Sequence, residues 1–160
     1  MKTLLAAALT IAFTVSIHAA EKPKAAKGKL TSIQGIAEAT EKKLNVAGVT
    51  NVNELLEQGA TPKGREELAT KSGLGAAQIL KFVNCADLFR ISGIAGQTAE
   101  LLEAAGVNTV AELAQRNPAN LAAKLKEVND AKKLTGKVPA EKQVAAWIEA
   151  AKQLPKVVTY

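Results

Sequence analysis

From Leu30 onward the apolar positions recur at helical spacing, and helix stops interrupt them. Ala37 to Ala47 carries one such stripe, and Gly48 follows as a left-handed C-terminal cap. Asn51 and Thr109 each stand three residues before a Glu (Glu54, Glu112), where a capping side chain opens a helix. The Thr109 case matches the capping-box pattern. Thr61-Pro62 and Asn117-Pro118 place a cap residue before proline at the first helical position. No stretch alternates at period two with Val, Thr or Tyr enrichment, so no strand is expected. The pattern predicts an all-α chain whose last helix stops at Pro155.

The pattern occurs twice. IQGIAEATEKKLNVAGVTNVNEL (33–55) aligns without gaps to ISGIAGQTAELLEAAGVNTVAEL (91–113). The pairs include Ile33/Ile91, Gly35/Gly93, Gly48/Gly106, Val49/Val107 and Leu55/Leu113. Identity at fixed spacing is the mark of a duplicated unit. A looser match sets LKFVNCADL (80–88) beside AAWIEAAKQL (145–154), with Phe82 opposite Trp147. An insertion at 129–139 separates the second halves. The expected architecture is two units, 30–90 and 91–155, packed as one compact helical domain.

The first residues follow other rules. Met1-Lys2 gives a positive start, Leu4 to Ile17 is an uncharged apolar run, and Ala19-Ala20 precede Glu21. That is the layout of a secretory signal peptide over 1–20, and it implies a periplasmic or secreted protein. Cleavage after Ala20 puts His18 three residues back, and cleavage after Ala19 puts Ile17 there; neither is small. An uncleaved anchor is the alternative, and it is the only route to a membrane that this reading leaves. Residues 21–29 (EKPKAAKGK) are rich in Lys, Ala and Pro and read as a flexible basic linker.

Chemistry is sparse after residue 20. His18 is the only histidine and Cys85 the only cysteine. Cys85 lies among Ile79, Leu80, Phe82, Val83 and Leu88, where it reads as a small buried hydrophobe, with a free reactive thiol or an intermolecular bridge as the alternative. Glu66 and Glu67 are neighbours on a helix and point apart, so they are not an acid/base pair. Nothing in the sequence suggests an enzyme, a cofactor, a metal site or a small-molecule substrate.

The recurring phrase is hydrophobic-x-Gly-hydrophobic-small: Ile33-Gln34-Gly35-Ile36-Ala37 and Ile91-Ser92-Gly93-Ile94-Ala95. Ser72-Gly73-Leu74-Gly75 is a third version. Glycine allows a tight turn, the apolar residue plugs between two helices, and the small residue opens the next helix with its N–H free. The phrase resembles the helix-hairpin-helix motif, which offers backbone N–H groups to nucleic-acid phosphates. With ATPKGREELA (60–69) and ILKFVNCADLFRISGI (79–94), the chain from about Leu30 to Leu154 also resembles a bacterial tandem helix-hairpin-helix family catalogued as a domain of unknown function, the 4332 type. The resemblance implies a fold and attaches no activity to it. It places hairpins at Gly35, Ile36 and Ala37, at Gly73, Leu74 and Gly75, and at Gly93, Ile94 and Ala95.

Two of these hairpins depart from the phosphate-binding pattern, with Ala37 and Ala95 where a second glycine is preferred. Their surroundings are also acidic. Residues 30–60 carry Lys42 and Lys43 against Glu38, Glu41, Glu54 and Glu57. Residues 91–120 carry Arg116 against Glu100, Glu103 and Glu112. Residues 61–90 reverse the balance, with Lys63, Arg65, Lys71, Lys81 and Arg90 against Glu66, Glu67 and Asp87. The candidate phosphate site is therefore Gly73, Leu74 and Gly75 with Lys63, Arg65, Lys71 and Lys81. The formal charge of +6 adds little, since a solvated Lys-rich surface explains it as well.

Two functions fit these features. One is weak, sequence-independent binding of duplex DNA outside the cytoplasm. The other is a protein-interaction or scaffold module whose hairpins only pack helices. Without interleaved exposed aromatics, base stacking on single strands is not expected.

Overall fold

The structure, a computed structural model, describes residues 25, 26 and 28–160. The segment read as a signal peptide lies outside the described residues. Among those described the secondary structure is helical throughout, without strands. A 3-10 turn at Leu30–Ser32 precedes α1 (Glu38–Val46), α2 (Val52–Gly59), α3 (Pro62–Ser72) and α4 (Ala76–Leu88). Then come α5 (Gly96–Ala104), α6 (Val110–Ala114), α7 (Pro118–Lys132) and α8 (Glu141–Lys152). None of these helices is long and apolar enough to cross a membrane.

Local chemistry sets the boundaries. Gly48 and Gly106 have φ of +84° and +82° and end α1 and α5 in the same way. The Val49 N–H donates to the Leu44 carbonyl and the Gly48 N–H to that of Asn45; Val107 and Gly106 repeat both bonds on Leu102 and Glu103. This is the Schellman closure, and its apolar contact is present because Leu44, Val49, Leu102 and Val107 are all buried. The side chains of Asn51, Thr61, Thr109 and Asn117 each accept an N–H in the first turn of the helix they open. Glu54 and Glu112 reach back, but not to the cap residue as a capping box would have it. They accept the N–H one residue earlier, from Thr50 and Asn108, at 2.7 and 2.9 Å. That bond holds the Glu54 carboxyl below its usual pKa.

Helix α2 packs on α4 and α6 on α8; α3 and α7 then cover α4 and α8. One continuous core results, with Leu55, Phe82 and Val83 from the first half and Leu113, Trp147 and Ile148 from the second. Ile33 and Ile91, Val49 and Val107, and Leu55 and Leu113 are buried pair by pair. Replacing such a leucine by alanine costs about 2–5 kcal/mol.

Three expectations change. The linker does not run free to Lys29: Ala26 is buried, and the Gly28 carbonyl accepts the Val52 N–H at 3.3 Å. A small apolar residue and an open carbonyl suffice to seat this segment at the start of α2. Nor does the fold stop at Pro155. Val158 is buried, and the Thr159 N–H donates to the Ala60 carbonyl at 2.9 Å. The 129–139 insertion is in part the end of α7. Its loop is held by Asn129, whose side chain both donates to and accepts from the Thr135 main chain.

Candidate nucleic-acid interface

The three sequence-predicted hairpins divide into two kinds. At the first, Gly35 takes φ of +90°, Ile36 is buried and Ala37 opens α1. At the second, Gly93 takes φ of +89°, Ile94 is buried and Ala95 opens α5. Each of these glycines lies against an aromatic side chain: a Cβ at Gly35 would stand 3.4 Å from Phe82, and one at Gly93 3.3 Å from the Trp147 indole nitrogen. The two hairpins also meet, for a Cβ at Gly96 would stand 2.4 Å from the Ser32 carbonyl oxygen.

The third hairpin is open. Gly73 ends α3 in the left-handed region at φ +66°, with its N–H on the Ala69 carbonyl. Leu74 packs half-buried against the core, and its N–H donates to Ser72 Oγ at 3.3 Å. Gly75 opens α4 in extended conformation with no side chain capping it. Nothing lies within 4 Å of a Cβ at either glycine. The first turn of α4 therefore presents its N–H groups to the surface, where the helix dipole favours an anion.

The basic residues assigned to this hairpin do not gather around it. Lys63 and Lys71 line a shallow depression along α3, together with Glu66, Glu67 and Thr70. Lys63 Nζ is 4.0 Å from the Glu67 carboxylate. Lys81 pairs with Glu103 at 3.4 Å across α4 and α5. Arg65 is not a phosphate ligand in this structure. It is only 6% exposed, and its guanidinium donates to the carbonyls of Gly59, Ala60 and Thr159 at 3.0, 3.1 and 2.7 Å. The reason is its register: Arg65, Leu68 and Ser72 share the buried stripe of α3, a 3–4 spacing visible in the sequence.

Sequence reasoning also missed a buried ion pair. Arg90 and Asp87 meet at 2.7 Å, both almost wholly enclosed. The second Asp87 oxygen accepts the Val110 N–H that starts α6, at 2.8 Å, and Arg90 also donates to the Pro155 carbonyl at 3.0 Å. Charges inside the run Ala86-Asp87-Leu88-Phe89-Arg90-Ile91 were the available signal, because buried charges occur as partners. Cys85 is partly covered, and burial, with Glu103 second, pushes its thiol up to about 12. No group of three or more His, Cys, Asp or Glu residues that would hold a metal occurs among the described residues.

The fold and surface define a small all-helical protein with repeated glycine turns between helices. The chain belongs to the family described as "Domain of unknown function (DUF4332)", whose model matches residues 34–154. No curated protein and no solved structure matches the chain.

Proposed function

We propose that this is an exported, non-enzymatic protein that binds duplex nucleic acid weakly and without sequence preference, through the Gly73-Leu74-Gly75 hairpin. The observation that supports it most is the uncapped, solvent-open start of α4 between two glycines with free space at their Cβ positions. A phosphate oxygen would accept the Gly75 N–H and those of the following turn, as helix-hairpin-helix backbones do. Lys71 and Lys63, on the helix leading into the turn, would neutralise neighbouring phosphates. With two lysines and two nearby glutamates, affinity falls at the non-specific end, with Kd of order 10⁻⁴–10⁻⁶ M at physiological salt.

The test is anisotropy of a labelled duplex across a salt series. Gly75 has φ of −68°, an angle proline adopts, so Gly75→Pro removes the N–H without changing the turn angle. This variant should bind about tenfold or more weakly, the worth of a hydrogen bond to a charged group. Lys63→Gln with Lys71→Gln should flatten the salt slope. Replacing Lys22, Lys24 and Lys27 by Gln is the control for a basic segment binding by itself. If only that control loses binding, the hairpin is architectural.

The Glu66 and Glu67 side chains in the depression with Lys63 and Lys71 favour the second reading, a protein-interaction module. The two glutamates weaken the hold of this surface on phosphate, while mixed charge suits a protein of complementary charge pattern.

A further inference from the structure

Segment 155–160 has no regular secondary structure, yet it is held at both ends by buried arginines. Arg90 binds the Pro155 carbonyl and Arg65 the Thr159 carbonyl. Ala60 completes a ring: its carbonyl accepts both the Arg65 guanidinium and the Thr159 N–H. The two arginines and Ala60 thus read main chain, and longer side-chain bonds add to them: Thr159 Oγ1 donates to the Ala60 carbonyl at 3.4 Å, and the Tyr160 hydroxyl meets Asn84 Oδ1 and Glu112 Oε1 at 3.4 and 3.5 Å. Val158 is the only residue of the segment that is fully buried, while Pro155, Lys156, Thr159 and Tyr160 are exposed.

The receiving groups do not depend on the segment for their placement. Without it, Arg65 would still be held by the Gly59 and Ala60 carbonyls, and Arg90 by Asp87. The donors are therefore preorganised, which lowers the cost of taking up a ligand. The segment itself contributes one buried and one half-buried apolar side chain, Val158 and Val157, far fewer than any of the long helices, so its opening is cheap beside that of a helix.

We propose that residues 155–160 are a releasable strap lying in a peptide-binding groove formed by Ala60, Arg65 and Arg90. The ligand class is a short peptide read through its backbone carbonyls and one N–H, with a β-branched apolar side chain in the place of Val158. This inference is independent of the nucleic-acid reading.

The experiment uses the full chain carrying Val158→Asp, which expels the strap, and a labelled peptide with the sequence of residues 155–160. In the unaltered chain the strap competes at an effective concentration in the millimolar range. The variant should therefore bind the peptide at least about tenfold more tightly than the unaltered chain. Equal binding by a variant that keeps its helical circular dichroism overturns the proposal. If the variant loses that signal, amide exchange in the unaltered chain decides. The Thr159 amide should then exchange at least about tenfold faster than the Val83 amide of α4, after correction for intrinsic rates. Exchange of both in one common opening overturns the strap.

Discussion

The first residue of α5, Gly96, sits directly on the Ser32 carbonyl, so close that a Cβ there would stand 2.4 Å from the oxygen. Alanine is the better helix former, but here the obstacle is backbone and cannot swing aside. Gly96→Ala should destabilise the protein by about 1–3 kcal/mol, the usual range for overpacking. Glu38 holds the matching place at the start of α1 and is exposed, so Glu38→Ala should stay within about 0.5 kcal/mol. Chemical denaturation of both variants checks the contrast.

A second pair concerns the left-handed caps of α3 and α7. Gly73 holds one at φ +66°, while Lys133 holds the other at φ +54°. A side chain in this region costs about 1–2 kcal/mol. Gly73→Ala should lower stability by that order although the space is open. Lys133→Gly should be neutral or stabilising by up to about 1 kcal/mol, since relief of strain is partly offset by the freer unfolded chain. Thermal melts of the two variants should shift in opposite directions, or the second not at all.

The thiol of Cys85 should be silent. Thiolate is the reactive form, and burial holds the native pKa near 12. Labelling of the partly covered thiol by a thiol reagent at neutral pH should be slow in the native protein, and denaturant should speed it. Prompt stoichiometric labelling of the native protein would contradict this placement.

Tyr160 gives a pH dependence with a definite sign. Burial, then the charge of Glu112, raises the phenol above its usual pKa. The neutral form is thus the one the folded state favours. Its contribution is complete below the unfolded value of about 10 and is lost as pH climbs through the raised folded value. Tyr160 is the only tyrosine, so phenolate absorbance reports it directly. Glu112→Gln should move that titration part of the way back, leaving the burial share.

The helical pattern was legible because its punctuation is chemical: Gly48 and Gly106, Asn51 and Thr109, Thr61-Pro62 and Asn117-Pro118 all act locally. Arg65 counts as a cation of its segment, but its 3–4 spacing with Leu68 and Ser72 sets it on the buried face of α3 and outweighs its charge. The seats of Ala26 and Val158 could not be read at all. Both depend on α2 carbonyl and N–H groups left open at its two ends, which no periodicity in those short segments encodes. The pairing of Lys81 has the same character, since Glu103 reaches it from a helix distant in sequence.

Helix α2 receives both flanking segments, Gly28 at its first residue Val52 and Thr159 at its cap Ala60. Eight residues of helical rise separate these anchors by only about 12 Å along the axis. The stretch from residue 28 to residue 159 is therefore nearly a closed loop. A circular permutant joining residue 160 to residue 28 through a short glycine-serine bridge, and opened between the exposed Gly136 and Lys137, should keep every helix in place. In such a ring the order of the two halves along the chain is arbitrary, and α2 becomes the clasp rather than the second element of a series.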